Sequence, residues 1–178
     1  MADYTPADGT DRMSITSQKP STIAVWGGEE KPLAFGAAQV PIVQSAPFAY
    51  EDMDEWAAVA LGQAEGYIYS RNTNPTVGVF EEKCRILEGG EKSIAFASGM
   101  AAISNTLLSL LSPGDRVVSI KDSYGGTSRL FMDTLPRMQI EVELVETGDA
   151  DAIDAAIAKG CKLVYLETPT NPTLKIID

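Results

Sequence analysis

Between residues 93 and 167 the chain alternates two kinds of block. Short runs rich in β-branched and apolar residues, at 93–97, 116–120, 140–145 and 163–167, read as strands buried on both faces. Longer segments between them, 100–111, 127–135 and 150–159, read as helices. Strands alternating with helices predict βαβ crossovers, hence an α/β fold with a mostly parallel sheet. In such sheets ligands sit at the carboxyl ends of the strands. The loops there hold Ser98-Gly99, Ser123-Tyr124-Gly125-Gly126 and Thr168-Pro169-Thr170-Asn171-Pro172.

Upstream, Val77, Phe80, Cys84 and Leu87 recur at helical spacing, which predicts a helix over 76–87 with these four on its buried face and Glu81, Glu82 and Lys83 outward. Pro75 stands where a fixed φ is tolerated at a helix start, and Glu88-Gly89-Gly90 ends the segment. A further helix is predicted over 51–62, with acidic residues in its first turn. Residues 21–47 are broken by Gly27-Gly28, Pro32, Gly36 and Pro41 yet carry Ile23, Val25, Trp26, Ile42 and Val43. They read as an irregular arm packing on its own domain or a neighbouring subunit. Residues 1–20 are polar without apolar periodicity and read as a disordered tail.

Composition narrows the chemistry. At 178 residues and 44% hydrophobic content the chain is globular with room for one ordinary core. A net charge of −11 without a basic run argues against nucleic acid and anionic lipid as partners. No apolar stretch of about 18 residues and no secretory leader is present, so a cytoplasmic location is expected, without a membrane. Histidine is absent, which removes histidine triads and His-based metal sites, and no metal is expected. Cys84 and Cys161 stand outside any CxxC pairing and read as buried, inert thiols.

Phe96 to Ala102, FASGMAA, reads as a strand end turning through Ser98 and Gly99 into a helix. The first N–H groups of that helix lack intrahelical acceptors, so an anion is stabilised there. Alone, such a turn is more often only a tight connection. Gly89-Gly90-Glu91-Lys92-Ser93 lacks the glycine spacing of a Walker loop, and no GxGxxG follows a strand. Arg71, between Tyr69 and Asn74-Pro75, offers a fork of donors to a phosphate. In isolation it is equally a surface arginine beside a packed tyrosine. Tyr124 could expose a flat ring to a planar cofactor, or be a core or rim tyrosine.

The order YSRxxNPT, LEGG, ASGMAA, SYGGT, ETPTNP resembles the Cys/Met-metabolism (transsulfuration) family of pyridoxal-phosphate enzymes, over residues 21–178. That family includes cystathionine γ-synthase, cystathionine and methionine γ-lyases and O-acylhomoserine sulfhydrylases. The resemblance implies a fold type I PLP-dependent transferase, with 21–62 an arm on a neighbouring subunit and 63–178 the first part of the large cofactor domain. It implies that Gly99 and Met100, with Ser98 in the same turn, bind the phosphate of pyridoxal 5'-phosphate. Tyr69 and Arg71 reach that phosphate from the adjacent subunit of a homo-oligomer, a dimer of dimers with shared active sites. Tyr124 stacks on the pyridine ring and assists proton transfer, and Asn171 lies near the 3'-oxygen.

The family continues past the counterpart of Asp178 with the aspartate of the pyridine nitrogen and the Schiff-base lysine, so the cofactor domain is expected to be incomplete here. The implied activity of the full-length protein is γ-replacement or γ-elimination on a homoserine-derived or sulfur-containing amino acid. Gly126 stands where methionine γ-lyases have a cysteine, which leans toward a cystathionine-type enzyme or a sulfhydrylase. Two alternatives stay open at this point: a truncated, non-catalytic chain acting only through subunit interfaces, and a nucleotide-binding α/β domain.

Overall fold

The structure, a computed structural model, describes residues 14–29 and 36–177. The expected tail before residue 14, Pro32 of the arm and Asp178 lie outside them. The chain divides into two compact units, one up to Ala95 and one from Phe96, whereas the sequence reading set its boundary between residues 62 and 63.

The first unit contains helices α1 (Pro20–Trp26), α2 (Met53–Ala60) and α3 (Pro75–Glu88), after a 3-10 turn at Ile15–Ser17. The irregular reading of the arm therefore needs correction at its start, as does the tail over residues 14–20. Pro20 occupies the first turn of α1, and Gly27 and Gly28, read as breaks, serve as its stop. Glycine is required there by close approach: a Cβ on Gly27 would stand 2.8 Å from the Ile23 carbonyl oxygen, and one on Gly28 2.9 Å from that of Val79. Lys83 Nζ donates to the Val25 carbonyl at 2.7 Å and pairs with Glu29.

Asn74 caps α3, its Oδ1 accepting from the N–H of Thr76 at 2.9 Å and of Val77 at 3.3 Å. Asn74 Nδ2 also donates to the Val43 carbonyl at 2.9 Å, while Thr76 Oγ1 donates to that of Pro41 at 2.8 Å. The later arm is thus pinned to the start of α3. Its continuation lies antiparallel to the YSR segment, through a Pro47–Tyr69 bridge and a Phe48 N–H to Ile68 carbonyl bond of 3.0 Å.

The expected buried face of α3 is not buried. Val77, Phe80 and Leu87 are exposed, Phe80 to 58%, and Cys84 is a half-buried free thiol. The reason is that α1 and the turn after it approach α3 on the side of Val79, Glu82 and Lys83. Glu81, expected outward, accepts the Ala95 N–H at 2.7 Å.

The second unit is a three-stranded parallel sheet in the order β2 (Glu141–Val145), β1 (Arg116–Ile120), β3 (Leu163–Tyr165). Register runs Val117 to Val142 on one side and Val117 to Leu163 on the other. Before the sheet comes α4 (Gly99–Leu110). Between β1 and β2 run α5 (Gly125–Arg129), a π-turn over Leu130–Thr134 and α6 (Leu135–Arg137), and between β2 and β3 runs α7 (Ala150–Ala158). The predicted helix 127–135 thus begins earlier and passes through a wider turn. Pro136 has no N–H to continue an α-ladder, and the π-turn lies just before it.

Side chains of β1 alternate between faces. Val117 joins Leu107, Leu111, Phe131, Leu135 and Ile140 on one side. On the other, Val118 and Ile120 join Val145, Ile153 and Ala156. Each fully buried aliphatic side chain contributes about 1.5–3 kcal/mol relative to exposure. Ser119, buried in the same strand, donates to the Tyr165 carbonyl at 2.8 Å, which meets the requirement that a buried hydroxyl be paired. Cys161, expected buried, is a half-buried free thiol packed against the second cluster.

Residues 93–97, predicted as a strand, are not assigned to the sheet. A strand exists only by pairing, and this segment has no ladder partner among the described residues; Ile94 is 74% exposed. No helix among the described residues is long and apolar enough to cross a membrane.

Phe131 is fully buried, with its ring 5.3 Å from that of Tyr165. Phe131→Ala should lower unfolding free energy by about 3–5 kcal/mol. The expected observation is a lower urea midpoint at unchanged slope.

Candidate functional site

In the second unit, Ser98 has extended backbone (φ −156, ψ 157), and its Oγ accepts the Ala101 N–H at 3.1 Å. The Ser98 carbonyl accepts the Ala102 N–H at 3.1 Å. The N–H groups of Gly99 and Met100 come before these and by position have no intrahelical acceptor. Apart from its chain neighbours and the helix's own backbone, nothing lies within 4 Å of where a Cβ on Gly99 would be. Ser98 is therefore a cap, and Gly99 and Met100 offer the backbone donors.

Tyr124 stands at the start of α5, 49% exposed. Its loop follows the carboxyl end of β1, which puts it on the edge predicted to hold ligands. Gly126 joins this tyrosine to α4. A Cβ on Gly126 would meet Met100 Sδ at 2.8 Å and Tyr124 Cε1 at 3.0 Å, a space that only glycine leaves free. Met100 Sδ also lies 3.9 Å from the hydroxyl of buried Thr127. The structure thus brings Ser98, Gly99, Met100 and Tyr124 together.

Asn171 reaches the same rim through its loop. It lies exposed after β3, and among the described residues it makes no hydrogen bond to Tyr124 or the α4 turn. The loop folds around buried Thr170, whose N–H donates to the Lys175 carbonyl at 3.0 Å and whose Oγ1 accepts the Lys175 N–H at 2.9 Å. Lys175 Nζ then pairs with Asp122 at 2.6 Å, which fastens the Asn171 loop to the Tyr124 loop. The hydrogen bond from Lys175 holds the Asp122 carboxyl below the usual aspartate range. Its contribution to stability is present above the ordinary aspartate pKa and is lost as pH falls through the depressed value.

Tyr69 and Arg71 belong to the first unit. Both are exposed, and the Arg71 guanidinium carbon stands 4.8 Å from the centroid of the Tyr69 ring, in cation–π contact. That unit also has an open cleft of about 500 Å³ lined by Phe48, Tyr50, Tyr67, Glu51, Glu55 and Glu65. Three carboxylates make it unsuited to a phosphate, and it plays no part in the candidate site.

Sequence reading did not single out Glu167 or Tyr165. Glu167 Oε2 accepts the Tyr124 N–H at 2.8 Å, and Oε1 accepts the Tyr165 hydroxyl at 2.9 Å. The available signal was a carboxylate closing a strand-like run at the ligand-binding edge. Burial, reinforced by the hydrogen bond to Glu167, pushes the Tyr165 phenol up to about 12. The folded state holds this proton more tightly than the unfolded chain, so the associated stability is intact below pH 10.0 and lost as pH rises toward about 12. A tyrosinate absorbance titration should contain a component near 12 that Tyr165→Phe removes.

Residues 21–178 match the family described as Cys/Met metabolism PLP-dependent enzyme. An L-methionine gamma-lyase from Fusobacterium nucleatum subsp. polymorphum is 42% identical over 157 residues, covering 88% of this chain and 40% of that protein. A cystathionine gamma-lyase from Bacillus subtilis is 40% identical over 160 residues, covering 90% of this chain and 40% of that one. Among solved structures, a putative O-acetylhomoserine (thiol)-lyase from Campylobacter jejuni, carrying pyridoxyl-lysine monophosphate, superposes with a TM-score of 0.83. It is 34% identical, with coverage of 90% of this chain and 39% of that one. The chain therefore spans about 40% of the length of the relatives it matches.

Proposed function

The chain belongs to the Cys/Met-metabolism family of PLP-dependent enzymes, with the fold type I architecture of that family, and from this premise we propose a specific activity and site. The proposed enzyme replaces or eliminates the γ-substituent of a homoserine-derived or sulfur-containing amino acid. Relatives named as γ-lyases and as a thiol-lyase support this level of description, since both chemistries pass through activation next to the same α-carbon. The observation that carries the site is the open first turn of α4 held beside an exposed Tyr124 through the Met100–Gly126 contact.

These residues fit pyridoxal phosphate. The N–H groups of Gly99 and Met100, at the positive end of the α4 dipole, would hold its phosphate. Tyr124 presents a flat, half-exposed ring suited to stacking, and its phenol is a donor and acceptor for a proton in transit. Asn171, on the loop tied to Asp122, would sit near the 3'-oxygen. When bound, the cofactor supplies an electron-withdrawing ring that acidifies the α- and β-protons of the substrate. The chain's own residues would hold the phosphate, orient the ring and place a phenol where protons move.

Tyr69 and Arg71 are proposed to contribute a phosphate contact from a second copy, in a homotetramer of paired dimers located in the cytoplasm. Their exposed, stacked arrangement is suited to such a contact. The exposed apolar side chains Val77, Phe80 and Leu87 of α3 support burial in an assembly.

Two measurements on the full-length enzyme test this reading. Gly99→Asp places a carboxylate at the phosphate position and should weaken cofactor binding to the apoenzyme by about 10²-fold or more, read by fluorescence titration. Unchanged affinity would remove the phosphate assignment. The enzyme should also consume an O-acylhomoserine with a thiol, giving a thioether, or split methionine or cystathionine to a 2-oxo acid. Inertness toward all of these would rule out the γ-carbon assignment.

A further inference from the structure

Resting on the placement of Tyr124 beside the cofactor, we infer that Glu167 is a positioning residue, which fixes Tyr124 through its backbone and couples it to the buried core through Tyr165. Tyr124 has no side-chain capping bond at the start of α5, and its backbone there is extended (φ −49, ψ 139). The Tyr124 carbonyl accepts the Ser128 N–H at 2.8 Å, which fixes the helix side of the residue and leaves its own N–H to be held from elsewhere. Glu167 holds it, accepting the Tyr124 N–H at 2.8 Å across 43 residues of sequence.

The carboxylate is itself held. Its second oxygen accepts the Tyr165 hydroxyl at 2.9 Å, and the Tyr165 ring packs 5.3 Å from that of Phe131, a fully buried residue of the first core cluster. Tyr165 is further fixed by its backbone, whose carbonyl accepts the buried Ser119 hydroxyl at 2.8 Å. A rigid path therefore runs from β1 and Phe131, through Tyr165 and Glu167, to the peptide N–H that precedes the Tyr124 ring. A charged acceptor suits this place, because hydrogen bonds to an ionised group are about twice as strong as neutral ones. Both Glu167 oxygens are engaged by Tyr124 and Tyr165. Glu167 acts through Tyr124 and is not itself a catalytic residue.

The test compares Glu167→Ala, Glu167→Gln and Tyr124→Ala in the full-length enzyme by visible circular dichroism of the bound cofactor and by kcat and KM. Glu167→Ala should reduce the dichroic band and lower kcat by about 10²-fold, as expected for a misplaced catalytic side chain, with KM changing less. Glu167→Gln keeps an oxygen acceptor for the Tyr124 N–H and should restore most of both signals. In a Tyr124→Ala background, adding Glu167→Ala should cause no further loss.

Wild-type dichroism and kcat in Glu167→Ala would overturn the inference, as would a Glu167→Gln enzyme as impaired as Glu167→Ala, or fully additive losses in the double variant. Should Glu167→Ala fail to fold, Tyr165→Phe decides. It frees one carboxylate oxygen and should produce a smaller loss in the same two signals, and no loss would overturn the inference. If Tyr124→Ala itself leaves both signals unchanged, the placement of Tyr124 fails instead, which separates the two readings.

Discussion

The burial of β1 on both faces is the constraint from which the second unit takes its form. A strand with Val117 in one apolar cluster and Val118 and Ile120 in another must have a helix layer on each side. Once the layers are in place, the loop after β1 has one exit, at the carboxyl edge, and Tyr124 is on it. The first turn of α4 meets the same edge because Met100 packs against Gly126. Polar groups extend this order to the rim: Ser119 to the Tyr165 carbonyl, the Tyr165 hydroxyl to Glu167, and Glu167 to the Tyr124 N–H. The site is a surface feature whose geometry is set two layers down.

Much of this was legible because its signals are local. The β-branched run 116–120 is the strand β1 to the residue, and α7 and β2 differ from their predicted spans by one residue at one end. The first turn of α4 was legible because Ser98 and Gly99, small residues between a strand-like run and a helix, mark a turn with free N–H groups; that Ser98 caps the helix comes from the fold. Other elements failed for physical reasons. Residues 93–97 have strand composition, but pairing decides whether such a run becomes a strand. The α3 pattern marked an apolar face correctly, yet periodicity does not say which partner covers it, and α1 docks elsewhere.

At the site the division is similar. The motif order pointed to Tyr124, Gly99 and Met100, and the geometry of the second unit joins these three. The Asn171 loop is tied to the Tyr124 loop by the Lys175–Asp122 pair, a link with no short-range signature. Glu167 and Tyr165 carry no such signature either, since their links to the Tyr124 N–H and to Ser119 span more than 40 residues. Gly126 gives the opposite lesson. Its identity was noted for what relatives carry there, while its physical role is the space it leaves for a thioether and a ring.

The strand order β2-β1-β3 has a consequence for how the chain is made. The central strand is synthesised before both of its neighbours, so of the described residues packed against it in the core clusters, those of α4 and Leu111 have emerged before it and the others follow. The β1–β2 ladder cannot close until the α5–α6 crossover has emerged, nor the β1–β3 ladder until α7 has, and non-local parallel pairing of this kind is slow and exposes apolar surface meanwhile. A nascent chain paused between β2 and β3 would hold a two-stranded sheet with one flank of β1 open. That interval is where a chaperone or a misplaced strand from another chain would find it.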